Sequence, residues 1–301
     1  MTGSLTAVDL SKLPFPDAVE NFSFENILAQ MIIDLQARDP AFSALVESDP
    51  AYKILEVCAY RETLIRQRVN ESIKAVMLAS AMGADLDNIA ANFNVQRLVI
   101  TPANPNSIPP TPAVMESDTD LRRRVQLSFE GFSTAGSRGA YIYHALSADP
   151  NVLDADAYGP PETPGVVRIA VLSRTGNGSA SAPLLAAVNA ALDAEKTRPI
   201  TDLVMVESAA IVNYSVGATV KFYPGPDSAV VLAAAHAAVT EYAQTNHRLG
   251  RDVTLSGLYR ALHQEGVQDV VITSPASNVV ANWNQATWCT GITITGAGTD
   301  E

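Results

Sequence analysis

TPANPNSIPPTP, residues 101–112, carries five prolines in twelve positions. Each proline removes a backbone donor and pushes its predecessor out of the helical region, so the stretch predicts an extended linker. The charge balance shifts nearby: 16 acidic against 8 basic residues up to Asp120, then 16 against 12 from Leu121 onward. The expected class is α+β. A helical N-terminal region (1–100), a Pro-rich linker (101–115) and two small α+β subdomains (116–210 and 211–301) make up the chain.

On the N-terminal side, Phe24, Ile27, Leu28, Met31 and Leu35 recur at three- and four-residue steps and make one apolar stripe. Asp39-Pro40 and Asp49-Pro50 then break the helical pattern. A long helix is expected over about 51–81, which contains neither Gly nor Pro. Ile54, Cys58, Ile65, Val69, Ile73 and Val76 fall on one face, with Arg61, Glu62, Arg66, Arg68 and Glu71 on the other. About thirty residues of helix reach about 45 Å, more than a small domain needs. The apolar face suits either a multi-chain helical bundle or packing on 24–38 within one chain. Gly83 fits the end of this helix, and Ala84 to Asp87 opens a shorter one.

Beyond the linker, Glu116-Ser117-Asp118 reads as an N-cap for a helix burying Leu121, Val125 and Phe129. Strands are expected at 166–172, 203–206, 211–223, 267–273 and 290–295, and helices at 184–194, 228–244 and 254–265. Pro224 to Asp227 forms the turn before the 228–244 helix. Two weak internal echoes stand out. Tyr143, Ala145, Leu146, Val152 and Asp154 resemble Tyr259, Ala261, Leu262, Val267 and Asp269, and LAAVNAAL (185–192) resembles LAAAHAAV (232–239). They suggest that the two α+β subdomains are related, in permuted order.

Few residues stand in a pattern that carries chemistry. Gly176, Gly178 and Ser181 occupy a strand-to-helix loop where a phosphate cradle would sit, yet the third position of the glycine fingerprint is Ser. His144, His236, His247 and His263 have no metal-ligand spacing, and no nucleophile elbow is present. Cys58 and Cys289 are too few for a disulfide framework or a four-ligand metal site. The pairs Asp85/Asp87, Asp118/Asp120 and Asp154/Asp156 are explained by capping and solvation. Arg122, Arg123 and Arg124 form the sole basic cluster and are expected to fan out over a helix surface. Trp283 and Trp288 suit either a core plug or an interface anchor. No catalytic, cofactor or metal residue is assigned, and no enzyme is expected.

Composition agrees. A net charge of −12 disfavours nucleic acid and anionic membranes as partners. No apolar run approaches a membrane span, and the start has no signal-peptide pattern. Charged residues make up 17% of the chain against about 25% in ordinary domains, a sign of surface covered by partners.

Six stretches carry a family resemblance. They are GADLDNIAANFNV (83–95), ESDTDLRRRVQLSFEGFSTAGSRGAYIYHALSADPNV (116–152), PGVVRIAVLSRTGNG (164–178), RPITDLVMV (198–206), YPGPD (223–227) and LGRDVTLSGLYRALHQEGVQDV (249–270). Individually soft and jointly specific, they resemble the baseplate assembly protein J family of P2-like contractile phage tails; residues 275–301 match least. The resemblance implies a non-enzymatic wedge protein without cofactors, in the virion tail baseplate and, during assembly, in the host cytoplasm. It implies partners too: a tail protein I type subunit, a lysozyme-like wedge protein, further copies in a ring, and the central spike. Its implied mechanism is ring rearrangement that releases the sheath, in a phage or a related contractile bacteriocin. Two other classes stay open, a receptor- or glycan-binding tail module using Trp283 and Trp288, and a small-molecule enzyme using the 174–181 loop. The interface residues singled out are Ile54, Ile65, Val69, Ile73, Arg122, Arg123, Trp283 and Trp288.

Overall fold

A computed structural model describes residue 8 and residues 10–132, 136–194, 197–225 and 227–299. Pro226, in the expected turn, and most of the N-terminal stretch lie outside the described residues. The chain is mixed α and β, as expected, and divides into two compact units. One contains residues 6–97 and 117–125; the other contains 98–116 and 126–301.

The first unit is helical. Helix α1 (Phe24–Arg38) starts at Ser23, whose hydroxyl accepts from the Asn26 amide at 3.1 Å. Its stripe packs on α2 (Pro50–Ala75), where Ile27, Leu28 and Ala59 are buried beside Phe24, Met31, Tyr52 and Leu55. Helix α2 ends six residues earlier than the sequence suggests. Gly83, at φ +53°, begins α3 (Gly83–Ala91) and does not terminate α2. Arg66 bridges Glu62 and Glu20 at 2.7 Å each, and Asn70 holds the Glu20 backbone from both sides, donating at 2.8 Å and accepting at 3.0 Å.

Strands β1 (Val99–Thr101) and β2 (Val114–Met115) belong to the second unit, and with them the proline-rich segment differs from a plain extended linker. It doubles back as an antiparallel ribbon, with a further bridge between Asn104 and Thr111. Ser107 ties the bend, donating to the Asn104 carbonyl at 2.9 Å and accepting from the Thr111 amide at 3.0 Å. Prolines confine such a ribbon to few ladder bonds, because they cannot donate.

Helix α4 (Asp118–Leu127) is capped by Ser117, which accepts from the Asp120 amide at 3.2 Å. Leu121 and Val125 are fully buried as expected; Phe129 lies beyond the helix end and is exposed. Next come α5 (Arg138–Ala148), β3 (Val152–Tyr158), β4 (Val166–Ser173), α6 (Ala182–Leu192) and β5 (Leu203–Ser208). Strand β4 is central, antiparallel to β3 and parallel to β5. Ile142, Leu146, Ile169, Val171, Val188 and Leu192 fill the space between this sheet and its helices.

One residue after β5 the chain enters β6 (Ala210–Phe222), followed by α7 (Ser228–Asn246), α8 (Leu255–Leu262), β7 (Val267–Ser274) and β8 (Gln285–Thr299). Here β6 is central, antiparallel to β7 and parallel to β8. Asp227 caps α7 by accepting from the Ala229 amide at 2.9 Å. Val216, Val220, Val239, Leu258 and Leu262 form the second core. The two sheets share one plan. Each central strand has an antiparallel edge strand preceded by a helix, α5–β3 or α8–β7, and a parallel edge strand backed by an Ala-rich helix, α6 or α7. Both echoes fall on matching elements, with the helix–strand pair moved along the chain.

Candidate assembly surfaces

Three of the expected interface residues on α2, Ile54, Ile65 and Val69, lie off the face that α1 covers. The covered face uses Tyr52, Leu55 and Ala59, and Ile54, Ile65 and Val69 lie about a third of a turn away. Ile54 is 63% exposed, Ile65 65%, Val69 51% and Val76, just past the helix, 75%; Ile73 is half-buried. Val57 adds to the same open side. Helix α1 has 15 residues against 26 in α2, about 22 Å against 39 Å. It is too short to flank α2 along its whole length.

The arginine triplet overturns its expectation. Arg122 donates to the carbonyls of Leu78 and Ala81 at 2.7 Å each, and buried Arg124 donates to the Gln96 carbonyl. Arg123 is half-buried as well. The Arg122 and Arg124 guanidiniums satisfy backbone acceptors that helix ends and loops leave over, so the triplet is not an exposed patch. Nearby, Arg97 contacts Asp87 and Asp118 at 2.7 Å each. Burial alone would raise the Asp118 pKa, but the bonds from Arg97 and the Gly83 amide hold it below the ordinary carboxylate value.

The two α+β subdomains meet around Leu172, Ala209 and Ala286, with Leu153, Ile211 and Leu249 packed beside them. Buried Asp154 accepts from the Leu249 amide at 3.0 Å. Trp283 packs on Tyr158 with ring centroids 5.2 Å apart, and the Arg168 guanidinium lies 5.9 Å from its centroid. Trp288 meets His247 edge-on at 5.1 Å, and His247 Nδ1 is 2.7 Å from the Thr287 carbonyl. Each tryptophan therefore has contacts within its own chain, and they do not stack on one another as a shared platform.

The 174–181 loop is built for this joint. The amides of Gly178, Ser179 and Ala180 donate to Thr175 O, Asn177 Oδ1 and Ser208 Oγ at 3.2, 3.1 and 2.9 Å. A phosphate cradle needs amides without an internal acceptor, and these have one. Gly178 sits at φ +98°, where a Cβ would lie 2.5 Å from Leu172 Cδ1 and 2.8 Å from His247 Nε2. The glycine is required by close packing and by its backbone angle.

The acidic pairs divide similarly: Asp156 is clamped by Arg138 at 2.6 Å, while Asp85 lies in the first turn of α3. His144 is half-buried, and its burial lowers its pKa. Among the described residues no three His, Cys, Asp or Glu converge as a metal set, and no helix is long and apolar enough to cross a membrane.

A cavity of about 490 Å³ lies between α7 and β8, lined by His236, Thr240, Ala243 and Gln244 from the helix and Trp288 to Ile292 from the strand. His247 and Leu153 complete the lining. The sequence offers one faint signal for it. His236, Thr240, Ala243, Gln244 and His247 recur at steps of three, four and one on an Ala-rich helix, which marks a face.

Three family models match the chain. It matches the Baseplate J-like N-terminal domain over residues 47–104, the Baseplate J-like central domain over 133–208 and the Baseplate J-like protein C-terminal domain over 214–295. Baseplate protein J of Escherichia phage P2 is 51% identical over 301 residues, covering 98% of this chain and 99% of that protein. The chain belongs to the baseplate protein J family. In this baseplate J chain, the central match takes α5 to β5, and the C-terminal match runs from within β6 to within β8. The N-terminal match holds α2 with its exposed stripe. A chain of the anti-feeding prophage baseplate, solved by cryo-EM, is 12% identical with a TM-score of 0.38, covering 61% of this chain and 44% of its own.

Proposed function

We propose that this baseplate J chain is a structural wedge subunit of a contractile-tail baseplate, joining wedges into a ring around the central spike. Its ring neighbours are further copies of itself, a tail protein I type subunit and a lysozyme-like wedge protein. Rearrangement of that ring releases the sheath. The subunit works in the virion baseplate and assembles in the host cytoplasm.

The observation that carries this reading is the open apolar side of α2. Ile54, Val57, Ile65 and Val69 form a helical seam outside the α1–α2 core. Such a seam is stabilised by helices from other chains, as in a bundle. Membership of the family supplies the setting. The test is co-expression with the neighbouring tail gene products, read by native mass spectrometry. A defined hetero-oligomer is expected, and it is expected to be lost in Ile65→Asp plus Val69→Asp while the α+β unit stays folded. Normal assembly of that double variant would sink the bundle.

A further inference from the structure

Strand β8 is an edge strand, hydrogen-bonded to β6 on one side. Its other side is engaged near its start, where Gln285 O accepts from the Gly250 amide and Thr287 O meets His247. From Trp288 onward no described backbone segment pairs with it. An open ladder of this length leaves donors and acceptors that another strand satisfies. Natural edges are blunted by charge or proline. QATWCTGITITGAGT, residues 285–299, contains neither. The other edge strands of the two three-stranded sheets differ: β3 carries Asp154 and Asp156, β5 Glu207 and β7 Asp269.

The cavity lies against the same strand. Its lining includes exposed His236 and Gln244, buried Ala243, and Gly291. A helix running beside an open edge strand, with a cavity between them, is the geometry of strand addition: main-chain bonds hold the peptide and alternate side chains fill the groove. We propose that the β8 edge and this cavity receive one extended, uncharged strand of a different polypeptide chain, with a bulky apolar side chain seated in the cavity. A second copy paired through its own β8 does not meet both demands. In β8 itself Ile292 and Ile294 pack against their own core, so two copies joined edge to edge leave each cavity unfilled.

This inference rests on the baseplate reading and deepens it. Amide hydrogen exchange is measured on the full chain alone and in the complex obtained by co-expression with the neighbouring tail gene products. Exchange across 289–299 is expected to slow about tenfold or more in the complex. A Cβ at Gly291 meets nothing within 4 Å, so Gly291→Phe sets a bulky ring at the cavity lining without a clash at its root. That variant is expected to keep wild-type exchange in α7 and β6 and to lose the protection of 289–299. Thr293→Lys, on the exposed side of the strand, is expected to weaken the same protection. A complex that forms with 289–299 exchanging as in the lone chain overturns this proposal and leaves the wedge reading standing. Concentration-dependent protection in the lone chain assigns the edge to a second copy and overturns it too. Absence of any complex removes the wedge reading and this one together.

Discussion

The central and C-terminal subdomains solve one packing problem with two chain orders. In the central subdomain α5 and β3 come first, then β4, α6 and β5. In the C-terminal one the central strand β6 and helix α7 come first, and α8 and β7 are inserted before β8. Both keep the same neighbours: α5 on α6 as α8 on α7, and α6 on β5 as α7 on β8. The cores therefore depend on which faces meet and not on the sequence in which the chain delivers them. The edges have diverged. Strand β5 has six residues and an ion pair from Glu207 to Arg168 at 2.6 Å, whereas β8 has fifteen uncharged ones. Asp154 of β3 is buried in the joint, while its echo Asp269 of β7 is exposed.

The most damaging way to probe that equivalence is at the echoed leucines. Leu146 and Leu262 are both buried, and Leu→Ala at each is expected to cost about 2–5 kcal/mol by urea denaturation. A near-zero cost at one position alone would break the correspondence. The joint comes next. Gly178→Val is expected to cost about 1–3 kcal/mol through its positive φ and its clash with Leu172 and His247. Gly176→Val, at φ +63° with open space, is expected to cost less than Gly178→Val when the two are compared by urea denaturation.

A smaller effect sharpens the match at the helix caps. Ser137 accepts from the Ala140 amide at 3.3 Å and Thr254 from the Gly257 amide at 3.1 Å, at the starts of α5 and α8. Alanine at either is expected to cost about 1 kcal/mol, and unequal costs would show that the two helices are not held alike. The slightest effect lies in the helical unit and serves as a contrast to both subdomains. Asp118 has a lowered pKa when folded, so its stabilisation is present at neutral pH and above the unfolded carboxylate pKa. It is lost as pH falls through the folded value, below about 4. In Asp118→Asn this part of the acid dependence is expected to vanish from melts of the helical unit, with the exchange of β4 and β6 unchanged.

Much of this is legible in the sequence because periodicity reports which residues are apolar. Phe24, Ile27, Leu28 and Met31 do pack on α2, and the echoes locate the matching elements. Periodicity does not report which apolar face is covered. On α2 the buried contact is made by Ala59, the smallest apolar side chain available, beside Tyr52 and Leu55, so hydropathy does not single out the face that α1 covers. Arg122 and Arg124 escape a local reading because the carbonyls they reach belong to residues 28 to 44 positions away. The contacts of Trp283 and Trp288 escape it too, since their partners Tyr158 and His247 come from distant segments. Glycines at 291, 296 and 298 obscure the full length of β8.

The parallel pairing of β6 with β8 has a mechanical consequence. The register runs from Ala210 beside Gln285 to Phe222 beside Thr299, so the beginning of β6 and the end of β8 lie at opposite ends of one ladder. A pull between those two points acts along the strands and shears the rungs together, where a peeling geometry would break them one at a time. Ala209 is the single residue joining this ladder to β5, so tension arriving through the central sheet passes into it almost without slack. Under load the C-terminal subdomain is a link in which many bonds must fail at once, and its lifetime is set by the unfolding rate and not by its equilibrium stability.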